Sequence, residues 1–309
     1  MRRIVVLSLL GACALFAPSA AEPTPEARSL LGVPLFAPDL TPAERQEREA
    51  RLAEARAAHD TDPGSADATI WLGRRLGYVG RFREAVDTFS LGIELHPQDA
   101  RLYRHRGHRQ ITLRRFDLAI RDLETAARLI EGTDDEVEPD GLPNARNVPT
   151  STLHFNVWYH LGLAHYLSGE FGRAQDAYGR CLAVSKNPDS LVATTHWLYM
   201  TLRRQGRDRR ADKLLEPIRA DLDVIEGQDY LRLLRMYKGE IAPADLVGEA
   251  TGTSRATLGY GLAIWHFVHG RRDEALEEMR RVVEAGPWPT FGATAAEADL
   301  ARLSPAPSR

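Results

Sequence analysis

The sequence predicts an all-α solenoid, a superhelix of helix–turn–helix units. Three observations carry the prediction. Residues recur at a spacing of 34: Gly73 with Gly107, Phe82 with Phe116, Ala85 with Ala119, and Phe89 with Leu123. Small and apolar residues share helical faces, Leu72, Gly73 and Leu76 on a first helix and Ala85, Phe89 and Gly92 on a second. At 309 residues, 43% hydrophobic and 27% charged, the chain can build a sizeable core and is not a disordered polymer.

The elements follow in chain order. Arg2 and Arg3 precede an apolar run from Ile4 to Phe16, Pro18 breaks it, and Ser19-Ala20-Ala21 offers the small residues a signal peptidase reads. Residues 1–21 are expected to be an export signal, which places the mature chain in the periplasm or outside the cell. The run is shorter than the about 20 apolar residues a permanent membrane helix needs, and no other run approaches that length. The alternative is lipidation, because Leu10-Gly11-Ala12-Cys13 resembles a bacterial lipobox. Residues 22–40 read as an extended leader whose Leu30, Leu31, Val33, Leu35 and Phe36 are apolar enough to pack along the body. Thr41, Pro42 and Glu44 carry the signals of a helix start, so residues 41–65 are expected to hold a helix ended by Pro63 and Gly64.

Two repeat units occupy 66–130 and two more 155–226, the third marked by Trp158, Leu161, Gly162, Gly169, Phe171, Ala174 and Tyr178. Residues 227–303 are expected to hold an irregular helix pair, a late unit around Leu262, Ala263, Gly270 and Ala275, and a closing helix that covers the last repeat; 304–309 are a tail. Each repeat is expected to pack only on its neighbours.

A 34-residue helix–turn–helix period is the tetratricopeptide (TPR) signature, and residues 45–303 resemble that superfamily. A second resemblance lies in His196-Trp197-Leu198-Tyr199-Met200 and in Leu231 to Ile241, which look like NlpI-type TPR lipoproteins. That resemblance implies an envelope adaptor, often a homodimer, which scaffolds other proteins.

Forty basic and forty-three acidic residues give a net charge of −3, which argues against a nucleic-acid partner. Cys13 and Cys181 are the only cysteines, too few for a disulfide framework or a multi-cysteine zinc site. Neither a nucleophile elbow, a P-loop, a zincin helix nor a C-x-x-C motif is present. Histidines pair at His105 with His108 and at His266 with His269, and His154, His160 and His165 cluster, but no acid completes a metal set at suitable spacing. The sequence therefore predicts no enzyme and no cofactor, with a metal-dependent enzyme on the histidine cluster as the minor alternative. Cys181 reads as a buried small hydrophobe.

Counting units from Ala66, Ala100, Phe155, Val192 and Ala256, positions 2, 5, 9, 12 and 13 form a stripe apart from the packing stripe at 4, 7, 8 and 11. The TPR resemblance implies that this stripe lines a concave groove. It holds Arg74, Tyr78, Arg101, Arg104, His108, Asn156, Tyr159, Tyr166, His196, Arg203, Arg204 and Tyr260, opposed only by Asp67. Guanidinium groups bind carboxylates in a bidentate way, so the expected partner is a protein or peptide offering an acidic segment or a C-terminal carboxylate. A structural envelope component that assembles through its convex face or its leader is the alternative.

The insert at 131–154 separates the second and third units. It opens with Glu131, Asp134, Asp135, Glu136, Glu138 and Asp140 and continues through Pro143 and Pro149. It reads as a solvated loop or as an ordered strap that lies across the groove and mimics a ligand; its spacing does not match a calcium-binding EF-hand.

Overall fold

In the computed structural model, residues 24–303 are described. The expected export signal, with Cys13, and the tail at 304–309 lie outside the described residues. Helices dominate: α1 (Pro42–Thr61), α2 (Ala66–Tyr78), α3 (Phe82–Leu95), α4 (Ala100–Thr112), α5 (Phe116–Leu129), α6 (Leu153–Leu167), α7 (Phe171–Val184), α8 (Pro188–Arg204), α9 (Asp208–Leu214), α10 (Gln228–Tyr237), α11 (Gly252–Val268), α12 (Arg272–Ala285) and α13 (Phe291–Leu303). A short 3-10 turn spans Pro243–Asp245. Two two-residue strands, β1 (Ala27–Arg28) and β2 (Pro34–Leu35), pair antiparallel in the leader.

The local chemistry of the sequence sets the boundaries. Thr41 Oγ1 accepts from the Glu44 amide at 3.2 Å and Glu44 Oε2 accepts from the Thr41 amide at 2.9 Å, so the capping box that starts α1 is closed. The first helix of each pair ends at a left-handed residue, a conformation glycine adopts without strain. Gly80, Gly169, Gly206 and Gly270 fill that position with φ between 68° and 83°, and Arg114 fills it in the second unit with φ 63°.

Close approach within a pair comes from the absence of a side chain. A Cβ on Gly73 would collide with the Phe89 ring, one on Gly107 would lie 2.7 Å from Leu123, and one on Gly162 2.7 Å from Tyr178. Tyr199 takes the corresponding place in the fourth unit and stacks on Tyr237 of α10, ring centroids 4.3 Å apart. The second helix of that unit, α9, runs seven residues where α3, α5, α7 and α12 run fourteen. Most of the core is one continuous cluster from α4 to α13, with a smaller one under α1–α4. Cys181 is fully buried within it, and burial pushes its thiol up to about 12.

Two sequence expectations need correction. Contacts are not confined to neighbouring repeats, because α13 meets α6 and α11 meets α8 across the irregular pair between them. The closing helix covers the late pair, as expected of a cap, but also runs along the first-helix stripe. Phe291 packs on His108, Tyr159 and His160, while Asp299 reaches Tyr260 and Arg204.

The leader is tied down mainly by its backbone and small residues. The Leu30 amide donates to Glu297 Oε1 at 2.6 Å and Trp288 Nε1 donates to the Phe36 carbonyl at 2.7 Å. Its large apolar side chains stay 40–55% exposed at Leu30, Leu31, Val33 and Phe36.

Candidate functional site

The first helices α2, α4, α6 and α8 carry the predicted stripe, and the insert packs across α2, α4 and α6 as an ordered strap. Two extended pieces of the insert hold each other: the Leu153 amide donates to the Glu136 carbonyl at 2.9 Å and the Glu138 amide to the Ser151 carbonyl at 3.1 Å. Between them the strap makes side-chain and backbone contacts with α2, α4 and α6. Glu138 Oε1 lies 3.1 Å from Arg104 Nη2 and 3.5 Å from His105 Nε2, and its Oε2 accepts from Asn156 Nδ2 at 3.0 Å. Arg74 donates to the Pro139 carbonyl and Arg75 to the Gly141 carbonyl, each at 2.7 Å. Gly141 sits so close to the Tyr78 ring that a side chain there would collide with it.

Behind the strap lie two adjoining cavities of about 260 and 310 Å³, both lined by Arg104, His108 and Asp140. Arg74, Tyr78, Arg104, His108, Asn156 and Tyr159 from the predicted stripe surround them. Arg104 is 7% exposed, and its Nε has no partner among the described residues. Arg109 donates to His108 Nε2 at 2.7 Å, and burial lowers its guanidinium to about 10. Burial, reinforced by nearby arginines, also holds His105, His108 and His160 well below the usual imidazole range, so these rings are neutral.

The remaining stripe residues go elsewhere. Tyr166, His196 and Tyr260 are at most 1% exposed. Tyr260 Oη lies 2.8 Å from both Tyr166 Oη and Asp299 Oδ2, and Arg204 pairs with the same carboxylate. α13 is the physical reason: it fills this part of the concave face, so Tyr166, Arg204 and Tyr260 are core groups here rather than open groove. His196 is buried against Tyr230 and Tyr237 of α10, which drives its imidazole down to about 3. Arg101 is held by Asp67 and Asp99, and Arg203 lies 3.1 Å from Asp208.

The stripe omits Arg75 and Arg109, which stand 34 residues apart at one repeat position and carried the same periodic signal as Gly73 and Gly107. Glu138 was visible only as one acid among several in the insert. Among the described residues no three His, Cys, Asp or Glu side chains come together to hold a metal. No helix among them is long and apolar enough to cross a membrane.

Neither a protein-family model nor a curated protein matches this sequence. Solved structures do. YrrB, described as a TPR protein with an unusual peptide-binding site, is 14% identical over 74% of this chain and 91% of its own, with TM-score 0.43. PilF of Pseudomonas aeruginosa is 16% identical over 78% and 86%, with TM-score 0.46. MamA is 15% identical over 66% and 99%, with TM-score 0.43. Likeness at this level carries no functional inference. The 34-residue helix pairs, the close glycine contacts within the first three of them and the left-handed turns between their helices are the chain's own, and they make its fold a TPR-type α-solenoid.

Proposed function

We propose that this chain is a non-enzymatic scaffold that recognises an acidic peptide segment on its concave face, and that its own insert occupies that face in cis. The observation that carries the reading is Glu138, whose carboxylate is shared by Arg104, His105 and Asn156 while Arg74 and Arg75 hold the flanking carbonyls. Side-chain capture of one acid combined with hydrogen bonds to the neighbouring backbone is how a groove reads a peptide. The basic n-region and apolar run at the start of the sequence support work outside the cytoplasm, in the periplasm or beyond.

A synthetic peptide of residues 134–141 supplied in trans tests the proposal. Intact protein is expected to bind it weakly, because a tethered segment competes at high effective concentration. Glu138→Lys, which drives the strap off Arg104, is expected to bind it at least tenfold more tightly, and adding Arg104→Ala is expected to abolish the gain. If Glu138→Lys keeps a native circular dichroism spectrum and gains no affinity, the strap is structural and the concave face is not the site.

The exposed Leu31, Val33 and Phe36 favour a second reading, assembly into a homodimer or envelope structure through the leader. Sedimentation equilibrium of Leu31→Ser with Phe36→Ser decides it: an oligomer that dissociates in this variant supports leader-mediated assembly, and an unchanged mass removes it.

A further inference from the structure

On the face opposite the strap, α7 and α9 flank a groove of about 880 Å³ floored by α8. Its surface is apolar: Leu182, Leu191, Leu198, Leu202 and Leu214 contribute to it. The α7 wall is low, because Gly179 and Ala183 stand four residues apart on it, both exposed, and a Cβ on Gly179 would meet nothing within 4 Å. Gly179 lies in the middle of a helix, where glycine costs about 1 kcal/mol against alanine, and no contact within the fold calls for it. The α9 wall is short, seven residues in place of fourteen, and the chain continues past it in turns that bury Leu215 and Ile218 in the core.

The rim is charged with one sign in excess. Arg180, Arg210 and Lys213 stand on it against Asp176, and none of the three bases is in an ion pair among the described residues. The neighbouring groove between α5 and α7 is balanced, with Glu124 and Glu131 beside Arg128 and Arg180.

We propose that this convex groove docks an amphipathic helix of a partner protein, its apolar stripe on the leucine floor and its acidic flank on Arg180, Arg210 and Lys213. The occupant is helical because the low Gly179–Ala183 wall admits a helix backbone. It is acidic because the rim offers unpaired bases in a chain whose net charge is −3.

The probe is a capped, labelled helical peptide of about four turns, made of leucine, alanine and glutamate with the leucines three and four residues apart. Fluorescence anisotropy with intact protein is expected to give saturable binding, and a counterpart with lysine for glutamate is expected not to bind. Gly179→Leu, which grows into open space and leaves the core untouched, is expected to abolish binding. Arg210→Glu with Lys213→Glu is expected to weaken it at least tenfold. Arg104→Ala is expected to leave it unchanged, so failure here is distinct from failure at the concave face. No binding, equal binding of the lysine peptide, or full binding by natively melting Gly179→Leu overturns the proposal. So does self-association of the intact chain that Gly179→Leu removes, because the occupant is then a second copy.

Discussion

Arg114 stands at the turn position that glycine fills in the other units, and its left-handed backbone costs about 1–2 kcal/mol. Its side chain accounts for its presence: Nη2 lies 2.8 Å from Glu297 Oε2, both side chains are at most 3% exposed, and further bonds reach the carbonyls of Thr112 and Trp288. Removing one member of a buried pair leaves the other charge uncompensated, so Glu297→Ala is expected to cost about 3 kcal/mol in urea unfolding. Arg114→Gly relieves the backbone but strands Glu297 and is expected to destabilise as well. Arg114→Gly with Glu297→Leu is expected to return close to the parent, a coupling that a double-mutant cycle measures. His105, His108, His160 and His196 make a prediction about pH. Their folded values are depressed, His196 to about 3, while the unfolded chain titrates near 6.5, so the unfolded state binds more protons below that pH. The stability they confer is fully present above about pH 6.5 and falls as pH drops toward 3, by about 1.4 kcal/mol per pH unit for His196 alone. Urea midpoints measured from pH 7.5 to 4.5 are expected to fall over that window, and less steeply in His196→Phe; a flat profile contradicts the burial of these rings.

Among the elements, glycines in apparently similar helical settings have opposite roles. A Cβ on Gly107 would lie 2.7 Å from Leu123, whereas one on Gly179 meets open space. Gly107→Ala is therefore expected to destabilise by about 1–3 kcal/mol through overpacking, and Gly179→Ala to stabilise by about 0.5–1 kcal/mol through helix propensity. Thermal melts of the two variants check the sign. The difference was partly legible in the sequence, since Gly107 repeats Gly73 at 34 residues while Gly179 matches Ser90 and Glu124 in the earlier units. The same periodicity exposed the helix pairs and the first-helix stripe, because those contacts recur wherever the repeat recurs. It gave no warning that Tyr166, Arg204 and Tyr260 are buried, because the group that buries them, Asp299 on α13, belongs to no repeat. The useful signal was the pair of acids, Glu297 and Asp299, in a helix otherwise rich in alanine and leucine; both are buried, at 3% and 0% exposure. The seat of Glu138 was hidden for a related reason, since which acid of the insert meets Arg104 depends on the tertiary path of a segment without period.

At the scale of the whole molecule, linear arrays of repeats hold each unit through its neighbours, lose their end units first, and show exchange protection that decays outward. Here Glu297 takes the Leu30 amide and the Arg114 guanidinium together, and Trp288 meets both Phe82 and the leader carbonyl of Phe36. The first units and the last helix thus clasp one another, and neither end can fray without releasing the other. Closing such a ring joins residues far apart in the chain, which slows folding by raising contact order. In return it abolishes the soft ends. Amides of α2 and α12 are expected to exchange at rates close to those of α6, and Glu297→Ala is expected to restore the outward gradient of an open array. A molecule of this kind yields all at once or not at all: it is a hoop of helices rather than a spring.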